Sequence, residues 1–300
     1  MQWRGRRQSS NIEDRRGASV GKKGGIGIGS IIIALILWKV FGVNPATTLG
    51  MAEQIQQTRP AATAPAELTD SQKESKEFIA TVLADTEDVW KPIFAKAGQT
   101  YTPPKLVLFT GQVQSACGGA TSASGPFYCP ADQKVYLDTQ FFVDMKHQMG
   151  ISGEKNQTEL SRADQAGDFA QAYVIAHEVG HHVQTLLGIS PQVRKAQAQA
   201  GSQAAANELS VRQELQADCF AGMWARHNHE RTQFLSKGDI EEALDAAEKI
   251  GDDYLQKKAH GHAVPDSFTH GSSEQRKRWF YKGFQTGDVN ACDTFSVRNI

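Results

Sequence analysis

No C-x-x-C pair occurs in the 300 residues, and only four cysteines are present, at 117, 129, 219 and 292. That spacing excludes a zinc ribbon. No internal repeat is present, which excludes a solenoid. Positive charge is outnumbered beyond the first 23 residues. Those carry seven Lys and Arg against Glu13 and Asp14, so in a chain of net charge −1 the remainder carries −6. A basic surface for nucleic acid is thereby excluded. Long apolar runs are few as well, and a single one stands out near the start.

That run is IGIGSIIIALILWKVFGV, Ile26–Val43, with one charge at Lys39 near its end. Eighteen such residues are just enough to cross a bilayer, with Trp38 at the interface and Lys39 reaching the headgroups. The small-x-small pattern of a cleaved leader is poor around Val43–Ala46. The sequence therefore predicts a cytoplasmic basic segment over 1–25 and one transmembrane helix over 26–43. A flexible linker rich in Ala, Thr, Gln and Pro follows over 44–70, then a domain over 71–300. The positive flank predicts a single-pass protein of a bacterial inner membrane, with its N-terminus cytoplasmic and the domain periplasmic.

Within 71–300 the first element reads as a helix, Ser71–Ala97. Two strand-like runs follow, Lys105–Thr110 and Lys134–Phe142, the second entered by a hairpin turning at Pro130–Gln133. Beyond Asp164 the pattern is helical, near 164–187, 190–230, 238–257 and 272–286. A few strands followed by many helices predict an α+β domain, mostly helical with a small sheet. Export predicts disulfides. Of three possible pairings, Cys117 with Cys129 and Cys219 with Cys292 is the simplest.

The chemistry concentrates in AYVIAHEVGHHVQTLLG, Ala172–Gly188. His177 and His181 are four apart, one above the other on a helix, where two neutral imidazoles can hold one zinc ion. Glu178 lies about 100° round the helix, within reach of a water at the metal without being a ligand. His182 points elsewhere. The motif H-E-x-x-H-x-x-G-x-x-H fails, because positions 184 and 187 are Gln and Leu. The third ligand must come from another element, and NELSVRQELQADCFAGMWARH supplies Glu214 and Asp218, again four apart. Two carboxylates beside Leu215, Phe220 and Met223 are costly to bury unless a cation is near. Glu214 as ligand, and Asp218 accepting the far N–H of a ligand histidine, resolve that cost.

His177-Glu-Val-Gly-His181 followed by Glu214-Leu-Gln-Ala-Asp218 resembles the gluzincin arrangement of metallopeptidases. The chain from about Lys91 to Asp293 further resembles the bacterial neutral zinc metallopeptidases, through segments such as CGGATSASGPFYCPADQKVYLD, AHEVGHHVQ, ELQADCFAG and HGSSEQR. The resemblance implies a zincin-like fold with an edge strand crossing above the active-site helix. It implies Zn²⁺ held by His177, His181 and Glu214, and Glu178 as general base. The activity expected is hydrolysis of peptide bonds in a peptide or protein substrate, held by strand addition along Lys134–Phe142. A hydrolase of a non-peptide amide or ester would use the same residues, whereas a zinc-binding adaptor without catalysis would have no use for Glu178. Among Tyr173, His227, His229, His260, His262 and His270, the last is the candidate oxyanion donor. It precedes a helix that Ser272 or Ser273 would cap, and Arg276 on that helix is a candidate for substrate or oxyanion support.

Overall fold

The computed structural model describes residues 1–16, 68–151, 167–298 and 300. Met1–Arg16 and Thr69–Ile300 form one compact unit. It contains strands β1 (Ile12–Asp14), β2 (Lys105–Phe109), β3 (Gln112–Ser115), β4 (Gly118–Thr121), β5 (Phe127–Cys129) and β6 (Lys134–Asp138). Its helices are α1 (Asp70–Lys96), α2 (Gln140–His147), α3 (Asp168–Leu186), α4 (Ile189–Ala198), α5 (Gln203–Thr232), α6 (Asp239–Lys249), α7 (Asp252–His260) and α8 (Ser273–Thr286). The fold is mostly helical with a small sheet, as the order of the sequence patterns predicts.

Four strands lie in the order β1-β2-β6-β5, with β1, β2 and β6 parallel and β5 antiparallel at one end. Alternation places Leu106, Leu108, Val135 and Leu137 on the face toward the helices. Val107, Phe109 and Tyr136 lie on the other, packed with Cys129. The β3–β4 hairpin is tied to the end of β5 by the disulfide Cys117–Cys129, and Cys219–Cys292 joins α5 to the C-terminal segment. These are the pairings that spacing favours.

Three sequence expectations fail for local reasons. The strand-like run to Phe142 ends at Asp138, and Gln140 onward is helix α2. Its β6 portion lies between β2 and β5, so it has no free edge for a substrate strand; β5 has one. The long helix expected over 190–230 is broken into α4 and α5, with Ser202 capping α5 through the Ala205 amide. Strand β1 carries no alternating signal in Ile-Glu-Asp and is set by pairing alone.

The membrane expectation is also overturned. Ile26–Val43 lies outside the described residues, and among the described ones no helix is long and apolar enough to cross a membrane. A transmembrane helix and a single-pass inner-membrane location are not supported. The separation of a cytoplasmic basic segment from a periplasmic domain fails on packing. Arg6 pairs with Asp85 at 2.6 Å, Arg7 with Glu87 at 3.0 Å and Asp88 at 2.7 Å, and Arg4 with Glu74. The indole N–H of Trp3 donates to Asp168 at 3.0 Å and its ring meets Phe78 edge-on. These arginines are committed to acids of the same domain, so they are not a free flank.

The helices that carry the site touch backbone to backbone. A Cβ on Gly180 of α3 would lie 3.0 Å from the Ala217 carbonyl oxygen of α5. A Cβ on Gly222 of α5 would lie 2.0 Å from the Phe280 oxygen of α8, and one on Gly283 of α8 would lie 1.9 Å from the Cys219 oxygen. Only glycine permits the α5–α8 approach.

Two consequences can be measured. Gly283→Ala gains about 1 kcal/mol of helix propensity, but no rotamer relieves a backbone clash. Chemical denaturation should show a net loss of about 2 kcal/mol or more; equal or greater stability would mean that α8 can shift freely. Trp3→Ala removes a 4% exposed indole and should cost about 3 kcal/mol or more. An unchanged denaturation midpoint would show that residues 1–16 do not dock in solution.

Candidate metal centre

Helix α3 is buried on nearly every face, which is unusual for a segment with three histidines, and each histidine has a specific partner. His177 Nδ1 lies 2.8 Å from Asp218 Oδ1, which leaves Nε2 turned to Glu214 Oε2 at 3.2 Å. One turn on, His181 Nδ1 lies 2.9 Å from Gln184 Oε1, and its Nε2 is 3.3 Å from Glu214 Oε1. One donor atom each from His177, His181 and Glu214 therefore converge within 4.8 Å of one another. His182 is turned to the far side, where Nε2 meets the Thr102 carbonyl at 2.7 Å and Nδ1 the Tyr128 hydroxyl at 3.1 Å. Burial pushes this imidazole down to about 4, so it stays neutral.

Behind His177 stands Asp218, with no solvent exposure. Its Oδ1 accepts from the Tyr173 hydroxyl at 2.6 Å and from Arg276 Nη2 at 3.0 Å, in addition to His177. Its Oδ2 accepts from Arg276 Nε at 2.9 Å. The side-on guanidinium fixes the carboxylate plane, and the carboxylate fixes the imidazole. Arg276 thus commits two of its donors to Asp218, behind the ligand histidine, although it also lines the cleft.

The field of this arrangement suits a cation. Burial alone disfavours charge on His177, yet Asp218 and Glu214 outweigh it and raise the imidazole to about 10. Burial likewise works to raise Glu214, but the two imidazoles hold its carboxyl well below the usual range. Two buried carboxyl groups, Glu178 and Asp218, and the half-buried Glu214 lie near one buried guanidinium, Arg276. Two imidazole nitrogens with their far nitrogens anchored, plus one carboxylate, are a donor set that zinc accepts, and they leave its fourth position open.

Glu178 opens into the same cleft, of about 560 Å³, and has no hydrogen bond or ion pair among the described residues. Burial raises its carboxyl, while His177 and His181 pull the other way. His270 also lines the cleft. Asp252 anchors it, with Oδ1 3.2 Å from its Nδ1 and Oδ2 accepting its backbone N–H at 2.6 Å. Ser272 caps α8 through the Gln275 amide, so the residue sits against a defined helix start. The other histidines lie elsewhere: His227 binds the Gly287 carbonyl, His229 accepts from the Leu235 amide, and His260 and His262 are exposed.

Sequence reasoning missed three orienting residues. Gln184, three after His181, had a signal in its helical spacing. Tyr173 enters the sequence reading only among the candidate oxyanion donors, and Asp252 has no signal, since its partner is eighteen residues away.

Comparison with known proteins agrees with this donor set. A family model described as "Putative neutral zinc metallopeptidase" matches residues 1–295. The "Uncharacterized protein YpfJ" of Escherichia coli K12 is 46% identical over 304 residues, covering 98% of this chain and 99% of the relative. Uncharacterized proteins of Mycobacterium bovis and Mycobacterium tuberculosis are 46% identical over 221 residues, covering 71% of this chain and 68% of theirs. No solved structure matches. Zinc is the metal of the family, and His177, His181 and Glu214 form a group that could hold it. With the family model spanning nearly its whole length, this chain belongs to the neutral zinc metallopeptidase family.

Proposed function

We propose that the protein is a zinc endopeptidase that hydrolyses peptide bonds in the cleft over α3. The observation that carries this reading is the convergence of His177, His181 and Glu214 beside an acid, Glu178, that has no hydrogen bond or ion pair among the described residues. Zinc at this group would supply Lewis acidity, polarising a substrate carbonyl and easing deprotonation of water.

The chain's own residues do the rest. Glu178 accepts a proton from the attacking water and returns it to the amine nitrogen that leaves as the C–N bond breaks. A raised carboxyl suits a group that must carry the proton between those two steps. His270, which the Asp252 carboxylate favours as the imidazolium, donates its Nδ1–H to Asp252 and its Nε2–H to the developing oxyanion. Asp218, with Tyr173 and Arg276, fixes the tautomer and plane of His177. Gln184 does the same for His181. An extended substrate adds to the free edge of β5, whose Phe127 and Tyr128 border the cleft.

The test uses zinc analysis together with cleavage of an unfolded protein such as casein. Glu178→Gln should keep stoichiometric zinc and lose roughly 10²- to 10⁴-fold in turnover. Glu214→Ala should lose zinc to moderate chelator, whereas Glu208→Ala, whose carboxylate pairs with Arg212 on the surface, should keep it. Asp218→Ala should weaken zinc binding about 10- to 100-fold. Full activity in zinc-loaded Glu178→Gln would remove Glu178 as the base, and no cleavage by the zinc-loaded wild type would end the peptidase reading.

A separate outcome is expected for the oxyanion donor. His270→Ala should retain zinc and lose about 10²- to 10³-fold in kcat with little change in KM. A loss confined to KM would make His270 a substrate contact instead.

A further inference from the structure

The cleft over α3 is asymmetric. Toward α7 its wall is apolar, formed by Phe141, Met149, Ile250 and Leu255. Toward α4 it is polar, formed by Tyr128, Ser190, Arg194, Ser210 and Gln213. Most of the polar end is already satisfied within the fold. The Tyr128 hydroxyl lies 3.1 Å from His182 Nδ1, Gln213 Nε2 donates to Ser190 Oγ at 3.2 Å, and Gln197 Nε2 donates to Ser210 Oγ at 2.8 Å. Arg194 differs. It is exposed and has no ion pair or hydrogen bond among the described residues. The other cation in the cleft wall, Arg276, is spent on Asp218, and His270 is held by Asp252. Among the described residues of the cleft wall, Arg194 is therefore the uncommitted positive charge.

The direction of β5 decides which part of a substrate meets it. Gly125, just before the strand, sits at the apolar end, where a Cβ would lie 3.5 Å from the Phe141 ring. Tyr128 lies toward Arg194: burial raises its hydroxyl, and Arg194 is close enough to act against that. So β5 runs from the apolar end to the cationic end. A peptide added antiparallel, the more stable pairing per residue, runs the opposite way and brings its N-terminal residues to Arg194. A free C-terminal carboxylate would lie at the other end, among the apolar side chains.

We propose that Arg194 selects substrates with an acidic side chain N-terminal to the scissile bond. The inference rests on the peptidase reading of this cleft and adds a substrate class to it. A guanidinium offers two parallel donors to such a carboxylate. At a solvent-exposed rim the gain is modest, and about two- to fivefold in kcat/KM is expected.

The test uses the full-length, zinc-loaded protein and quenched fluorescent peptides with amidated C-termini. One carries Glu two or three residues before the cut, a second carries Gln there, and a third carries the Glu after the cut. A fourth replaces Glu by a free C-terminal carboxylate. Wild type should cleave the first about two- to fivefold faster than the second and favour neither of the others. Arg194→Ala should bring the Glu to Gln ratio near one, and Arg194→Glu should favour Lys at that position. Fluorescence anisotropy with zinc-loaded Glu178→Gln should rank the same peptides in the same order, without turnover. A Glu to Gln ratio unchanged in Arg194→Ala, or a preference for the third or fourth peptide, would overturn the inference while Glu178-dependent cleavage of casein stands. If casein cleavage itself is absent, the peptidase reading fails, and the anisotropy ranking still decides whether Arg194 reads a carboxylate.

Discussion

The site depends on one carboxylate. Asp218 is sealed from solvent at the meeting of three helices, where an unpaired ion would cost several kcal/mol. It is tolerated because Tyr173 and His177 from α3 and Arg276 from α8 saturate it. The contacts require the helices to be close, and the glycines at 180, 222 and 283 allow that approach. Packing and chemistry are therefore one constraint: the spacing that satisfies Asp218 also sets the plane of His177 and, one turn before Asp218 on α5, the position of Glu214.

All three convergent donors stand on helices rather than loops, so their geometry is held by packed backbone. The opposite wall is built differently. It consists of the short strand β5 and the segment before it, tied down by Cys117–Cys129, by pairing with β6, and by the Tyr128 hydroxyl against His182. His182 thus links the fixed floor of the cleft to the strand that borders it, which accounts for a third histidine in a buried helix without assigning it to the metal.

Much of this was legible in the sequence where the signal is local. The four-residue steps His177–His181 and Glu214–Asp218 put each pair on one helix face, and the cost of burying two acids pointed to a cation nearby. The helical and strand patterns located α1, β2 and α8 to within a residue or two. Where partners are distant, the signal vanished. Nothing in Asp252 announces His270, and nothing in Ile-Glu-Asp announces a strand that needs β2 to exist. The arginines at 4, 6 and 7 looked like a free basic flank because their acids, from Glu74 to Asp88, lie some 70 to 80 residues on. Charge counted along a chain does not reveal which charges are already matched in space.

That N-terminal docking has a consequence for how the molecule is made. Gln2 donates to the Phe234 carbonyl and Trp3 to Asp168, so these residues find their last contacts only after more than two hundred later ones have been added. At ordinary translation rates of about 5–20 residues per second, they wait ten seconds or longer. Until Asp168 has been made, the Trp3 indole lacks its hydrogen-bond partner. The nascent chain's exposure to misassembly is therefore set by the interval between synthesis and closure, not by the stability of the finished fold.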